Sequence, residues 1–153
     1  MKNIEYERKF LFKEYPLIID QFKYYKIKQW YLTKPDDDLS IRIRLYDDNR
    51  CYMDFKKGKG IERYEYGIKC IFDDIKPLTE NMPFIEKGRF SFRTEDYLLI
   101  IDEFDNGLKL IEIECNSLEY LKNFKPFKWM GKEVTNDIKY TNHWISFNKK
   151  GEF

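Results

Sequence analysis

Charged and apolar residues alternate along much of this chain with the period of a β-strand. In an extended segment, residues two apart share a face, so segment 4–11 puts Glu5, Glu7 and Lys9 on one side and mostly apolar residues on the other. Other segments rich in aromatic and branched residues are also typical of strands. They are 27–32, 39–46, 51–57, 62–71, 84–93, 97–104 and 108–115. The sequence therefore predicts about eight antiparallel strands.

A single charged strand face is ordinarily a solvated face, but here the charged faces recur. The charged residues at these positions are Glu5, Glu7, Lys9, Arg42, Arg44, Lys56, Arg63, Glu65, Lys87, Arg89, Glu112 and Glu114. If the strands close into a barrel, all of these faces point into one lumen. The expected fold is α+β and mainly β: an eight-stranded antiparallel closed barrel with a few flanking helices.

Helices are expected to be few and short. The candidates are 14–25, 73–80 with Pro77 as a weak point, 117–123 with Ser117 as its cap, and a piece near 136–147. A lumen filled with charge leaves the outside of the barrel for the large aromatic side chains, where helices would cover them. These are Tyr24, Tyr25, Trp30, Tyr31, Trp129 and Trp144. Residues 1–153 contain no linker-like stretch or repeat, which favours a single domain.

Composition excludes several classes of protein. The 28 Lys and Arg nearly balance the 27 Asp and Glu, so neither a nucleic acid nor a membrane surface is an expected partner. No apolar run is typical of a signal peptide or a membrane span, which favours a soluble cytoplasmic protein, either a monomer or a homodimer. Three cysteines without C-x-x-C spacing and one histidine argue against a disulfide framework, a zinc cluster and a histidine-based triad.

A charged lumen needs water, internal pairing or a ligand, because an unpaired buried charge is costly. Arginine and lysine suit a polyanion, and clustered glutamates suit a hard divalent cation that bridges its oxygens. Glu5, Glu7, Glu112 and Glu114 would converge on one or two ions if segments 4–11 and 108–115 lie close together. Tripolyphosphate or a nucleoside triphosphate, bound with Mg²⁺ or Mn²⁺, matches this chemistry.

Several motifs, taken in order, resemble those of the CYTH superfamily, the triphosphate tunnel metalloenzymes. Segment 4–12, IEYERKFLF, is similar to the ExExK signature of that superfamily. The later strands of this chain resemble, in order, the later strand motifs of the superfamily: IRIR (41–44), FKKG (55–58), RYEY (63–66), EKGRF (86–90), IIDEF (100–104) and LIEIEC (110–115). The segment GKEVTNDIKYTN (131–142) resembles the closing segment of the superfamily. The resemblance covers essentially the whole chain.

The resemblance implies a triphosphate-binding tunnel and assigns roles by motif. Glu5, Glu7 and Glu114 would be metal ligands assisted by Glu65 and Glu112, and Glu5, Glu7, Lys9 and Glu114 would form the catalytic set. The phosphate-binding residues would be Lys9, Arg42, Arg44, Lys56, Arg63, Lys87, Arg89 and Lys139. Two positions depart from the family pattern: Gly67 replaces a second glutamate, and Lys139 stands near a position where an arginine is common.

Three functions follow from such a tunnel. The leading hypothesis is metal-dependent hydrolysis of a triphosphate. Inorganic tripolyphosphate is the expected substrate, because the short chain offers few groups that could recognise a base. A class IV-type adenylate cyclase would use the same tunnel to cyclise ATP. A non-catalytic sensor would bind the nucleotide or polyphosphate without turnover, an alternative that Gly67 favours.

Overall fold

Nine strands and three short helices make up the regular structure of residues 3–148, the part of the chain described by the computed structural model. The strands are β1 (Ile4–Phe12), β2 (Lys23–Tyr31), β3 (Leu39–Tyr46), β4 (Cys51–Lys57), β5 (Glu62–Cys70), β6 (Phe84–Arg93), β7 (Leu98–Phe104), β8 (Lys109–Cys115) and β9 (Met130–Glu133). The helices are α1 (Phe72–Ile75), α2 (Leu118–Asn123) and α3 (Asn142–Phe147).

Eight of the strands close into an antiparallel barrel. They follow the order β5-β4-β3-β2-β6-β7-β8-β1, and pairing of Ile4–Tyr6 with residues 62–64 joins β1 back to β5. β9 pairs with the other half of the same β1 edge, opposite Phe10 and Phe12. The predicted eight-stranded barrel is therefore confirmed, with one additional short strand.

Turn residues set the hairpins that line up the strands. Asn49, at φ 70°, turns β3 into β4, and asparagine tolerates this left-handed conformation better than most residues. Gly107, at φ 90°, turns β7 into β8 where a side chain would be strained. Both turns fix the register that brings inward-facing residues together.

Two apolar clusters lie outside the barrel and one lies inside it. Outside, α2 packs against the largest cluster through Leu121, and α1 covers Trp30, which stacks on Phe72 with ring centroids 5.4 Å apart. Inside, Ile85, Phe104 and Leu110 share faces with charged residues of the same strands and pack against Ile145 of α3. The third cluster covers part of the inner wall with apolar side chains.

The predicted helix over 14–25 is wrong. The structure has only a 3₁₀ turn at Ile19–Gln21, and β2 already begins at Lys23. Its first residues pair with the long strand β6, and an aromatic pair such as Tyr24 and Tyr25 fits a pleated sheet well. Tertiary pairing therefore overrides the helix-like spacing of apolar residues.

The remaining helices form at the predicted places but are broken. Pro77 lacks an amide donor, so α1 ends at Ile75 and a 3₁₀ turn takes over at Lys76–Thr79. Ser117 caps α2 as predicted, accepting a bond from the Tyr120 amide. The C-terminal piece divides into a 3₁₀ turn at Ile138–Tyr140 and α3. Within the described chain, no helix has the length and apolar character needed to cross a bilayer.

Candidate active site

The inward faces of the barrel enclose one cavity of about 1100 Å³ lined by charge. Ten of the twelve charged residues predicted to face the lumen line it: Glu5, Glu7, Arg42, Arg44, Lys56, Arg63, Glu65, Arg89, Glu112 and Glu114. The other two, Lys9 and Lys87, are buried in the same wall with their ammonium groups bonded to protein oxygens. The sequence therefore predicted the orientation of these faces correctly.

Three carboxylates converge on the wall formed by β1 and β8. Glu7 and Glu114 are direct cross-strand partners, and Glu5 joins them so that one oxygen of each residue lies within 4.8 Å of the others. The Glu5 Oε2 atom is buried and makes no hydrogen bond with residues 3–148, although Lys56 Nζ lies 3.7 Å from it. An unsatisfied carboxylate oxygen in a cluster of like charges indicates a place for a cation.

The electrostatics of this cluster agree with that conclusion. Burial, with the nearby Glu114 and Glu65, raises the pKa of Glu5 to about 10 against the opposing effect of Lys56. Burial, Glu112 and Glu7 also raise the pKa of Glu114. Glu5 thus retains a proton at neutral pH unless a cation replaces it. Three oxygen donors of this kind fit a hard divalent ion such as Mg²⁺ or Mn²⁺.

Glu65 and Glu112, also predicted as metal ligands, lie outside this group of three and beside protein cations, although Glu65 is close enough to Glu5 to raise its pKa. Glu112 Oε1 lies 3.3 Å from Lys9 Nζ, and Glu65 lies 3.5 Å from both Arg42 Nη2 and Lys56 Nζ. Burial alone would raise the pKa of both carboxyls, but the surrounding cations lower it. Their negative charge is therefore already balanced by protein cations.

Two buried aspartates hold the cationic wall in place. Asp54 accepts from Arg42 Nε at 2.9 Å and, less closely, from Arg44 Nη2 at 3.5 Å. Asp102 accepts two bonds from Arg89, each 2.8 Å long, and one of 2.8 Å from Lys87 Nζ. Neither aspartate was among the predicted site residues. Both lie on inward faces, two residues from Lys56 and Phe104 respectively, so the period-two pattern contained the signal.

Opposite charges balance across the inner wall. Its cations are Lys9, Arg42, Arg44, Lys56, Arg63, Lys87 and Arg89, and its carboxylates are Glu5, Glu7, Asp54, Glu65, Asp102, Glu112 and Glu114. Four of the glutamates belong to β1 and β8, whereas most of the cations belong to β3, β4 and β6. A wall with equal numbers of cationic and acidic residues, divided in this way, suits a polyanion that carries its own metal ion.

The cavity opens at both ends of β3. At one end, the arginine mouth is lined by Lys23, Tyr25, Tyr46, Arg50, Arg93, Glu95 and Asp96. At the other end, the aspartate mouth is lined by Pro35, Asp37, Asp38, Lys59, Asn136, Asp137 and His143. The two mouths thus carry different balances of charge.

Some aromatic residues lie inside the barrel, contrary to the prediction. Tyr25 and Tyr31 line the cavity, and the His143 ring stacks on Tyr31 with centroids 4.5 Å apart. The Tyr31 hydroxyl is bonded to Gln29 Nε2 at 3.1 Å, so a buried polar partner makes its inward position possible. Lys139, by contrast, is exposed and does not line the cavity.

Comparison with known proteins finds relatives that share this barrel. The chain is 34% identical over 145 residues to an inorganic triphosphatase of Nitrosomonas europaea, an alignment that covers 90% of this chain and 93% of the relative. It is 34% identical to an inorganic triphosphatase of Acetivibrio thermocellus, over 70% of this chain and 71% of the relative. No protein-family model matches the chain.

Solved structures extend the likeness to the fold. A crystal structure of an inorganic triphosphatase superposes with a TM-score of 0.64 at 32% identity, and the match covers 93% of each chain. The PH1012 protein of Pyrococcus horikoshii also reaches 0.64, at 14% identity, over 88% of this chain and 98% of its own. The second similarity shows a common fold and nothing further.

Proposed function

The chain belongs to the family of these inorganic triphosphatases, and from that premise we propose that it hydrolyses inorganic triphosphate with the help of a divalent cation. The observation that carries the proposal is the division of the inner wall. Glu5, Glu7 and Glu114 converge on one side of the cavity, and the anchored cations Arg42 and Arg89 lie on other strands of the same cavity. Hydrolysis of a phosphate chain needs both kinds of group.

The cations would bind and orient the phosphate chain. Asp54 holds Arg42, and Asp102 holds Arg89, so neither guanidinium has to be ordered when the substrate arrives. Planar guanidinium groups match phosphate oxygens with paired donors, whereas Lys56 adds a point charge. Arg44 and Arg63 complete the set of cations that line the cavity, with Lys9 and Lys87 buried behind them.

Glu5, Glu7 and Glu114 would hold the metal ion. Bound there, Mg²⁺ or Mn²⁺ supplies Lewis acidity toward phosphate oxygens and lowers the pKa of a water molecule. Glu65 and Glu112, already paired with cations, would fix Lys56 and Lys9 in place. The inward-facing cluster of Ile85, Phe104 and Leu110 keeps water from that part of the wall and strengthens the charge interactions beside it.

The direct test is an assay of the purified protein with tripolyphosphate, pyrophosphate and ATP in turn, each with Mg²⁺ and with Mn²⁺. We expect orthophosphate release from tripolyphosphate, lost when the metal is chelated. Absence of release with either metal would contradict the proposal. Formation of cyclic AMP and pyrophosphate from ATP would indicate the cyclase, and tight binding without turnover would indicate a sensor.

A further inference from the structure

The cationic wall continues beyond the groups assigned to triphosphate and reaches the arginine mouth. Along β3 the inward-facing positions run Arg42, Arg44 and Tyr46, and the turn that follows places Arg50 beside Tyr46. The Tyr46 amide donates to the Arg50 carbonyl at 2.9 Å, which fixes the backbone of this turn. Arg50 thus extends the row of cations toward the outside of the barrel.

The Arg50 side chain is held but not fully bonded. Its guanidinium carbon lies 4.3 Å from the Tyr46 ring centroid and 4.9 Å from that of Tyr25, and its Nε donates to Asp48 Oδ2 at 2.7 Å. The Nη2 atom is buried and has no hydrogen-bond partner within the described chain. A guanidinium fixed by two rings and one carboxylate, with a donor left over, is suited to an anionic oxygen.

Arg44, the inward-facing residue before Tyr46 on β3, also has an unused hydrogen-bond donor. Its guanidinium carbon lies 5.4 Å from the Tyr46 ring centroid, on the inward side of the same tyrosine. Its Nε lies 3.2 Å from Asp54 Oδ2 but is buried and makes no hydrogen bond with residues 3–148. Unused donors therefore occur on both arginines that contact Tyr46.

The charges at the two mouths indicate toward which end of the cavity a long polyanion would extend. Asp37, Asp38 and Asp137 outnumber Lys59 at the aspartate mouth, so a polyanion leaving by that end would be repelled. At the arginine mouth, Arg50, Lys23 and Arg93 outnumber the two acidic residues that line it. A phosphate chain too long for the central wall would extend toward Arg50.

We propose that Arg50 forms an additional phosphate subsite, which binds the part of a linear inorganic polyphosphate that extends beyond three phosphates. The proposal rests on the triphosphatase function and defines its substrate class further. Guanidinium groups cover a face of Tyr25 and of Tyr46, which favours a further phosphate over a stacked nucleobase at this mouth. Hydrolysis of tetrapolyphosphate consumes one water and breaks one P–O–P bond, giving tripolyphosphate and orthophosphate.

The test compares tripolyphosphate with tetrapolyphosphate in the wild type and in Arg50→Gln, with products resolved by chain length. Loss of one charged contact should raise the KM for tetrapolyphosphate about tenfold and leave kcat/KM for tripolyphosphate within about twofold. If tetrapolyphosphate is not cleaved, its inhibition constant against tripolyphosphate is measured instead, and the same rise is expected. Lys26→Gln, an equal change of charge at an exposed residue that does not line the cavity, is the matched control.

A second variant tests the contribution of the Tyr46 ring separately from that of the Arg50 charge. Tyr46→Leu keeps Arg50 but removes the ring beneath it, and it should raise the tetrapolyphosphate KM by a smaller factor. Equal effects of Arg50→Gln on both substrates, or no effect on either, would overturn the subsite while tripolyphosphate hydrolysis by the wild type still stood. Failure of the wild type to hydrolyse tripolyphosphate would instead overturn the function on which the subsite rests.

Discussion

Glu7 and Glu114 face each other as direct partners across β1 and β8, inside a barrel and with a third carboxylate beside them. Such a pair repels itself unless a proton or a cation lies between the two groups. The arrangement has consequences for stability as well as for catalysis.

Metal and substrate together should stabilise the folded protein. Ligand at a hundred times its dissociation constant adds about 2.7 kcal/mol to the free energy of unfolding, and the melting temperature should rise by several degrees. Because the carboxylate cluster and the cations line different parts of one cavity, each ligand supplies the charge that the other needs. The shift with tripolyphosphate and Mg²⁺ or Mn²⁺ should therefore exceed the sum of the separate shifts in a thermal melt. Unchanged melting curves would argue against the inward orientation of the glutamates as a binding site.

Glu5→Gln should remove most metal-dependent turnover and leave the fold intact. The neutral amide is a poor ligand for Mg²⁺, and it replaces a buried carboxyl that is itself protonated at neutral pH without metal, so stability should not fall. Steady-state phosphate release and the melting temperature measure the two effects. Glu80→Gln, at an exposed position outside the cavity, is the control. Full activity of the Glu5 variant would remove Glu5 from the site.

Asp102→Asn should weaken both stability and phosphate binding. Asp102 is 1% exposed and pairs with Arg89 and Lys87, so loss of its charge leaves two buried cations poorly compensated. Breaking a buried pair of this kind costs about 3–5 kcal/mol, which urea unfolding would measure. The KM for tripolyphosphate should rise because Arg89 is no longer fixed. The exposed Asp73→Asn should change neither quantity, and a normal KM in Asp102→Asn would show that the aspartate serves stability alone.

Lys87 should make stability depend on pH. Burial and Arg89 lower the pKa of its ammonium to about 7, although Asp102 and Glu112 oppose the shift; the neutral Asn142 and the Phe104 ring complete its surroundings. The unfolded lysine has a pKa of about 10.4, so between about pH 7 and 10 the unfolded chain binds more protons than the folded one. The contribution of Lys87 to the free energy of unfolding should therefore rise with pH across this window, against the opposite slope that the raised pKa of Glu5 produces.

Lys87→Met isolates that contribution. The variant has no group to titrate at this position but keeps Glu5, so the unfolding free energy of the wild type minus that of the variant should increase between about pH 7 and 10. Urea denaturation at a series of pH values without ligand measures both curves. Parallel curves would show that Lys87 keeps its proton throughout, bonded to Asp102.

Much of the candidate site could be predicted because alternation along one strand is a local property. Glu7 and Arg42 sit on inward faces whatever their neighbours are, and closure of the barrel then brings those faces together. The partners of each charge could not be predicted in the same way. That Asp102 lies opposite Arg89, or that Glu112 is neutralised by Lys9, depends on cross-strand register, which involves two distant segments at once.

Other features were missed for related reasons. β9 has four residues and no alternation of its own, and it exists only because the edge of β1 is open beside it. Tyr31 lies inside a polar lumen because Gln29 and His143 contact it there, which its apolar ring does not reveal. The segment 14–25 has apolar residues at helical spacing, but its last residues, from Lys23 on, pair with β6 and form the start of β2.

The position of β1 in the barrel also bears on how the chain folds. β1 precedes every other described strand in sequence, yet it pairs with β8 and β9, more than a hundred residues later, as well as with β5. Contacts so distant in sequence slow folding, because a long loop must be closed before any of them forms. During synthesis, Glu5 and Glu7 would therefore emerge from the ribosome long before Glu114. The three carboxylates meet only when β1 pairs with β8, so the ability to bind metal at this cluster would report the joining of two distant parts of the chain.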